Sequence, residues 1–323
     1  MTPMGAATEQ AVPPVRVIYV TGYGRSGSTV LDMILDNHPE VMGLGELVNL
    51  PQAVWINGEY CACGQPGRTC GFWSEVRRIW SKETGVEDLG EYLTLQRRFG
   101  RLRHWPRLWR ERLSPTPEFR RYAELTLALF RAIRSVSGKP VLVDSSKGPV
   151  RGYALSLMEG FDVRFVHLVR DGRGVIWSLL KAFRKDPRAG IQRDLAPTPA
   201  WKSSFDWLAR NLVCEGVCGV RKDGPRHTRV RYEDFVRDPK RELARIGRVA
   251  GVDLAPLADE VVAGKELASG HTVAGNRVRM SGAVRLKPDL EWIERLDRRE
   301  RRVFWLIAGP LAIRYGYGRT PSA

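Results

Sequence analysis

The sequence lacks several features that define whole classes of protein. No run of about 18 apolar residues occurs, so no membrane-spanning helix is predicted. The opening stretch MTPMGAATEQAVPP has no apolar core of signal-peptide length. Cysteine is scarce, and its odd number, five, argues against a secreted scaffold held by disulfides. No segment is of low complexity. These absences indicate a soluble, cytoplasmic enzyme of ordinary globular type.

The composition allows a large core and predicts anionic partners. Hydrophobic residues make up 43% of the 323 residues, which is enough for one large α/β domain. Lysine and arginine number 52 against 36 acidic residues, so the formal net charge is +16. Such a field favours nucleotides, nucleic acid or an acidic membrane surface, without distinguishing among them.

The order of apolar and amphipathic segments predicts an α/β fold with a doubly wound parallel sheet. Four runs rich in Val, Ile and Phe indicate buried strands, at residues 15–21, 141–145, 163–169 and 228–232. A fifth, short strand is expected near residues 40–44. Helical patterns occur at residues 28–37, 149–159, 173–184, 199–221, 240–249 and 298–315.

Residues 52–138 interrupt this alternation. They are mostly helical in pattern and carry a small group of cysteines. We therefore expect one domain, residues 1–323, in which residues 52–138 form a helical insertion that covers the ligand-binding edge of the sheet.

A glycine loop, TGYGRSGST at residues 21–29, connects the first predicted strand to the first predicted helix. Gly22, Gly27 and Thr29 fit the phosphate-loop pattern G-x-x-x-x-G-K-[ST], but Ser28 stands where the lysine belongs. A strand–loop–helix unit directs backbone N–H groups and a helix dipole at one point. A phosphate, or a sulfonate attached to one, fits there. Nucleotide triphosphatases use the missing lysine on the β- and γ-phosphates, so the loop departs from that class.

A second motif follows the third clear strand. In VHLVRDGRGVIWS, Arg170 ends the apolar run and Ser178 follows eight residues later. An arginine and a hydroxyl at this spacing can hold a phosphate by charge-assisted hydrogen bonds. Together the two motifs resemble those of sulfotransferases that use 3′-phosphoadenosine 5′-phosphosulfate (PAPS). The likeness is to the bacterial branch and to the tyrosylprotein and carbohydrate sulfotransferases, which have a P-loop-like fold.

The resemblance implies roles for particular residues. The loop would hold the 5′-phosphosulfate, and Arg170 and Ser178 the 3′-phosphate. In VRYEDFVRDP, Tyr232 would lie near the adenine; in GHTVAGNRVR, Asn276 and Arg277 would fold over the nucleotide. The residues of the glycine loop that would hold the 5′-phosphosulfate are Gly24, Arg25, Ser26, Gly27, Ser28 and Thr29.

The implied reaction moves a sulfuryl group from PAPS to a hydroxyl of a small-molecule, carbohydrate or lipid-linked acceptor, with no metal required. The resemblance makes Glu46, in HPEVMGLGELVNLP, the expected general base. Lys147, in SSKGP, would neutralise the leaving oxygen, and Arg25 would act on the sulfonate. In the alternative interpretation, Glu46 is a surface residue that caps the helix that follows it. His271, the one histidine in a loop expected to face the ligand, is the alternative base.

The main alternative function is a Mg-dependent kinase or NTPase. Asp144 in VLVDSSKG lies at a predicted strand end, where such enzymes keep a metal-binding carboxylate. The other interpretation is an aspartate that caps a turn, which is common at strand ends.

Cys61, Cys63 and Cys70 share one glycine-rich loop, CACGQPGRTCGFW. The spacing is not the C-x₂-C of a zinc knuckle, and a fourth ligand would have to come from elsewhere. A structural metal, a disulfide and free thiols all remain open, and no metal ligand is assigned. Cys214 and Cys218, four apart on a predicted helix, are expected to face the core.

A basic segment runs from Arg97 to Arg112, with seven arginines and one glutamate. Its interleaved apolar residues are Phe99, Leu102, Trp105, Leu108 and Trp109. The pattern fits peripheral contact with an anionic membrane or a lipid-linked acceptor. It equally fits a solvated helix whose aromatic residues belong to the core. Nucleic acid is disfavoured, because no recognised nucleic-acid module is present.

Overall fold

The computed structural model describes residues 13–191, 194–219 and 224–318. Its centre is a parallel sheet of five strands in the order β2-β3-β1-β4-β5. The predicted strands are present, and the short fifth one is β2 at an edge. The strands are β1 Val15–Gly22, β2 Val41–Gly43, β3 Val141–Lys147, β4 Phe161–Val169 and β5 His227–Arg231. A separate antiparallel pair follows, β6 Leu267–Ala268 and β7 Ala283–Val284.

Helices connect the strands and confirm the predicted α/β alternation. They are α1 Ser28–Asp36, α2 Gly71–Thr84, α3 Gly90–Gly100, α4 Trp105–Leu113, α5 Pro117–Ser137, α6 Pro149–Leu157, α7 Gly172–Leu180, α8 Ala200–Cys218, α9 Tyr232–Arg237, α10 Pro239–Ala250, α11 Ala255–Val262, α12 Glu291–Arg295 and α13 Arg298–Arg314. Tyr232, predicted to end a strand, instead begins α9. The predicted end of α8 at residue 221, and the side chain of Cys218, lie outside the described residues.

The central strand β1 is buried on both faces, as a parallel sheet between two helical layers requires. Val17 and Tyr19 point into one core, and Ile18 and Val20 into the other. The first core is shared with α2, α3, α5 and α6, and the second with α1, α10 and α11. A third cluster joins α7, α8, α12 and α13 around Trp207. The fold class, a doubly wound parallel α/β sheet, is therefore confirmed.

The segment between β2 and β3 lies mainly on one face of the sheet. It begins with a 3₁₀ helix, Leu47–Asn49, and a π-helix, Leu50–Ile56, and continues through α2 to α5. Its tryptophans Trp73 and Trp80 are fully buried against that face. Within the described chain, no helix combines the length and apolar character needed to cross a bilayer.

Candidate active site

The carboxyl ends of four parallel strands place the predicted site residues side by side. Thr21, at the end of β1, pairs with Lys147 of β3, and Gly22 pairs with Leu168 of β4. Arg170 comes directly after β4, and Tyr232 directly after β5. In open α/β sheets, ligands bind in the crevice at this edge, where the strand order reverses.

The glycine loop bends between β1 and α1 through two left-handed residues. Arg25 has a φ of 67°, and Gly27, the N-cap of α1, has a φ of 90°. A Cβ on Gly27 would lie 2.6 Å from Cδ2 of Tyr232. Glycine is therefore needed at position 27, both for its backbone conformation and for the aromatic ring against it.

The loop faces a cavity of about 340 Å³. Most of the predicted residues line it: Gly24, Arg25, Gly27, Ser28, Thr29, Glu46, Lys147, Arg170, Ser178, Tyr232 and Asn276. Ser26 is not among the described residues that line the cavity: its side chain is buried, and its hydroxyl has no hydrogen-bond partner among the described residues. Arg277 lines an adjoining cavity that also touches Arg25 and Ser178. The described lining includes no residue from 52–138.

Arg170 is buried at one end of the cavity, where a carboxylate already satisfies its charge. Its Nη2 lies 2.8 Å from Oδ2 of Asp289, and its Nη1 donates to the Arg25 carbonyl at 3.1 Å. The guanidinium lies over the Tyr232 ring, 4.8 Å from the centroid. Sequence reasoning missed Asp289, because nothing in its surroundings marks it as a partner of Arg170.

The turn after Arg170 explains why Ser178 reaches the same cavity. Asp171 caps α7 by accepting from the Arg173 N–H at 2.9 Å, and it also pairs with that guanidinium at 2.6 Å. The indole of Trp207 donates to the Arg170 carbonyl at 3.0 Å. Ser178, two turns along α7, therefore lies on the face directed at the cavity.

Glu46 and Lys147 form an ion pair at the other end of the cavity, because Lys147 ends β3 and Arg170 follows β4, on opposite sides of β1. Glu46 precedes a 3₁₀ helix, Leu47–Asn49, but its carboxylate does not cap it. Instead, the carboxylate accepts from Asn49 Nδ2 at 3.0 Å. Lys147 has a φ of 64° after an irregularity in the β1–β3 pairing. Such bulges re-aim side chains beside functional sites.

A buried carboxylate on α1 holds the backbone next to Glu46. Both oxygens of Asp32 lie 3.0 Å from the Gly45 N–H, which donates to them. The carboxylate also accepts from Ser145 at 2.6 Å and from Thr272 at 3.2 Å. Burial raises the pKa of Asp32 to about 7, against the lowering effect of these hydrogen bonds. An aspartate within the apolar run VLDMILD was the signal that the sequence offered.

The loop at residues 270–279 closes over the start of α1. The N–H of Asn276 donates to Thr29 Oγ1 at 3.1 Å. The N–H of Glu46 donates to the Val273 carbonyl at 2.9 Å. Burial lowers the pKa of Arg25 beneath this loop, as does the charge of Arg277, whereas Glu46 raises it. The loop thus contacts both the start of α1 and the backbone of Glu46.

His271 does not face this cavity, which corrects its expected position. Its ring stacks on Phe72 at 4.8 Å. Its Nδ1 lies 3.6 Å from the sulfur of Cys61 and 3.4 Å from that of Cys70. None of the described cavity-lining residues is a histidine. Of the two carboxylates in the described lining, Asp289 pairs with Arg170, which leaves Glu46 as the candidate base.

Asp144 also turns away from the cavity. Its buried carboxylate pairs with Arg151 at 3.2 Å and accepts from the Ser146 N–H at 2.9 Å. Arg151 is itself buried and donates to the Tyr122 hydroxyl at 3.2 Å. A carboxylate committed to a buried ion pair is a structural group, so the likeness to a metal-binding aspartate is not supported.

Comparison with known proteins gives one family match. Residues 121–256, which include β3, β4 and β5, match the model described as the sulfotransferase family. This segment contains Lys147, Arg170, Ser178 and Tyr232. No curated protein matches the chain.

Three solved structures are similar over much of the chain. The sulfotransferase domain of the olefin synthase from Synechococcus PCC 7002 is 20% identical, with 96% of this chain and 98% of that chain covered and a TM-score of 0.46. The sulfotransferase domain from the curacin biosynthetic pathway is 16% identical, with 96% of this chain and 99% of that chain covered and a TM-score of 0.46. The sulfotransferase STF1 from Mycobacterium tuberculosis H37Rv is 20% identical, with 77% of this chain and 71% of that chain covered and a TM-score of 0.42. The family match over β3 to β5 confirms the resemblance to sulfotransferases that the Arg170–Ser178 motif indicates, and it does not extend to the glycine loop at residues 21–29.

Proposed function

We propose that the protein transfers the sulfuryl group of PAPS to a hydroxyl of an acceptor. The observation that carries the proposal is the single cavity shared by the glycine loop, the Arg170–Ser178 pair and the Glu46–Lys147 pair. One end offers groups for a phosphate, and the other offers a base beside a cation.

The nucleotide end fits the donor in its polarity and charge. Backbone N–H groups at the start of α1 would hold the 5′-phosphosulfate. Arg170 and Ser178 would hold the 3′-phosphate in place of Asp289, whose carboxylate now pairs with that guanidinium. Tyr232, packed on Gly27, would border the adenine. Asn276 and Arg277, on the loop over α1, would close on the nucleotide.

The reaction is an in-line displacement at sulfur. Glu46 accepts the proton of the acceptor hydroxyl while the acceptor oxygen forms a bond to sulfur. The bond from sulfur to the bridging oxygen of the 5′-phosphate breaks, and that oxygen keeps the electron pair. Lys147 and Arg25 offset the negative charge that develops there. The products are a sulfate ester and adenosine 3′,5′-bisphosphate, with the proton left on Glu46.

Nucleotide preference tests the donor. Titration calorimetry should show tighter binding of adenosine 3′,5′-bisphosphate than of ADP or ATP, with or without Mg²⁺, because Arg170 and Ser178 would contact only a 3′-phosphate. Incubation with PAPS and a mixture of phenols, sugars and alcohols should yield products heavier by one SO₃ group. Tight, Mg-dependent ATP binding without preference for the 3′-phosphate would overturn the proposal in favour of a kinase or NTPase.

We also propose that the basic segment, residues 97–112, brings the enzyme to an anionic surface or lipid-linked acceptor. Phe99 and Leu108 are buried in the core. In contrast, Leu102 and Trp109 are 47% and 53% exposed, among exposed arginines. Apolar side chains within a basic field support interfacial binding.

A further inference from the structure

The chain folds three cysteines and one histidine into a compact group away from the proposed donor cavity. The sulfurs of Cys61, Cys63 and Cys70 and a ring nitrogen of His271 all lie within 4.8 Å of one another. The histidine is about 200 positions from the cysteines in sequence and supplies the fourth ligand that the cysteine spacing left open.

Three distances within this group match the edges of a tetrahedron around one zinc ion, and all four ligand atoms lie within 4.8 Å of one another. Zn–S bonds of about 2.3 Å and Zn–N bonds of about 2.0–2.1 Å imply S···S edges of about 3.8 Å and S···N edges of about 3.6 Å. The measured distances are 3.6 Å between the sulfurs of Cys63 and Cys70, and 3.6 and 3.4 Å from His271 Nδ1 to the sulfurs of Cys61 and Cys70.

A disulfide explains the group less well. The sulfur–sulfur distance of 3.6 Å between Cys63 and Cys70 is far longer than the roughly 2.04 Å of a disulfide bond. A disulfide would also leave Cys61 and His271 facing each other without a common partner. A shared cation accounts for all four donors.

We propose that Cys61, Cys63, Cys70 and His271 bind one structural Zn²⁺ ion. Three thiolates and one imidazole fill the four positions that zinc prefers, so no position stays open for a substrate. Binding would displace the thiol protons to solvent. The site is thus distinct from the sulfuryl-transfer reaction, which needs no metal in the proposed mechanism.

Local backbone structure preforms the group. The chain turns tightly after Cys61, where the Gly64 N–H donates to the Cys61 carbonyl at 2.9 Å and Gly64 has a φ of 84°. Cys70 is the N-cap residue of α2, where the helix dipole favours a thiolate. His271 is held by Phe72 through ring stacking and by Trp73, whose indole donates to the His271 carbonyl at 2.9 Å.

The position of the ion would fasten the insertion to the loop over α1. The Ala62 N–H already donates to the Thr272 carbonyl at 3.2 Å, beside His271. The next residue, Val273, accepts from the Glu46 N–H. A zinc ion at the base of this loop would therefore help to hold Asn276 and Glu46 in their positions at the cavity.

Metal content is the direct test. The full-length protein should be purified with a reductant and without chelators, supplied with Zn²⁺, desalted and analysed by elemental mass spectrometry. We expect about one zinc per chain. Cys63→Ser, at the exposed member of the group, and His271→Asn should lose most of the zinc. Cys214→Ser should keep the zinc, because this buried cysteine is hydrogen-bonded to Thr21 and is not part of the group.

Cobalt gives a second readout that does not depend on activity. Co²⁺ in the wild-type protein should show the absorption of tetrahedral thiolate coordination, and Cys63→Ser should weaken its sulfur-to-cobalt band. The proposal would be overturned if the protein held no zinc after zinc loading while the thiols of Cys61, Cys63 and Cys70 reacted freely. An intact mass short by two hydrogens with no bound metal, which would indicate a disulfide, would also overturn it. Neither result would alter the nucleotide preference that tests the sulfotransferase proposal.

Discussion

Arg170 is the residue on which recognition of a 3′-phosphate depends in the proposed function. Its guanidinium is buried, fixed by the Arg25 carbonyl and paired with Asp289. Arg170→Ala should lose a charge-assisted hydrogen bond of about 1.5–3 kcal/mol, which corresponds to a roughly 10- to 150-fold weaker affinity for adenosine 3′,5′-bisphosphate by calorimetry. Asp289→Asn, which keeps the guanidinium and removes its competitor, should bind the nucleotide at least as tightly as the wild type.

Adenosine 5′-phosphosulfate separates the two interpretations of that loss, because it lacks the 3′-phosphate. Its affinity should change little in Arg170→Ala. An equal weakening of both nucleotides would make Arg170 a structural residue that supports the loop, and would remove it from the phosphate site.

Glu46 is the residue assigned to proton transfer. Glu46→Gln keeps the size of the side chain but cannot accept a proton, so turnover should fall by about 10²–10⁴-fold while the dissociation constant for PAPS stays close to wild type. The assay should include acceptors of different acidity, since a phenol near its pKa needs less help than an alcohol. Glu40→Gln, an exposed neighbour outside the cavity, is the matched control. Near-normal turnover of Glu46→Gln on an alcohol would end the assignment.

At the scale of elements, the sequence predicted the features that depend on residues close together in the chain. Arg170 and Ser178 could be paired because a strand end and two helical turns fix their separation. The bulge that turns Lys147 toward Glu46 could not be predicted, since it depends on how β3 pairs with β1. Asp289 was missed for the same reason: it meets Arg170 from a loop more than 100 residues away.

The element α4 carries the prediction on membrane contact. Trp109 is 53% exposed on this helix, and Leu113 is 86% exposed at its end. The wild-type protein should sediment with vesicles containing phosphatidylserine, less so at high salt and not with neutral vesicles. Trp109→Ser should reduce this binding. Trp201→Ser, at an exposed tryptophan of α8 outside the basic segment, should not. Equal binding of both variants would assign the interaction to net charge alone.

At the scale of the whole molecule, the alternation of strands and helices was sufficient to predict the parallel sheet and the edge that holds the cavity. It was insufficient for features built by distant segments. His271 was expected to face the ligand because the resemblance implies that its loop folds over the nucleotide. Its side chain instead points toward Cys61 and Cys70, which belong to the insertion. The sequence left Asp144 as either a metal ligand or a turn cap; its carboxylate accepts from the Ser146 N–H and pairs with Arg151 from the following helix, which makes it a structural group.

Asp32 connects the cavity to the stability of the whole fold, because it joins α1 to Gly45, Ser145 and Thr272. Its pKa of about 7 in the folded protein exceeds the ordinary aspartate pKa of 3.8. Between about pH 4 and pH 7, the folded state therefore binds more protons at this site than the unfolded state. The free energy of unfolding should consequently fall as the pH rises through that range. Asp36, whose pKa is also raised by burial, acts in the same direction.

Asp32→Asn should make this pH dependence shallower. The amide oxygen can still accept from the Gly45 N–H, and the Ser145 hydroxyl can rotate to suit the amide, but no proton is gained or lost. Urea unfolding at several pH values between 5 and 8 measures the effect. Buried His167, with its pKa lowered to about 3, gives an opposite slope below about pH 6.5, so the difference between wild type and variant is the quantity to compare. Asp297→Asn, at an exposed residue just before α13, is the control for the loss of one carboxylate. If Asp32→Asn keeps the wild-type slope, Asp32 is ionised throughout this range, and its hydrogen bonds outweigh its burial.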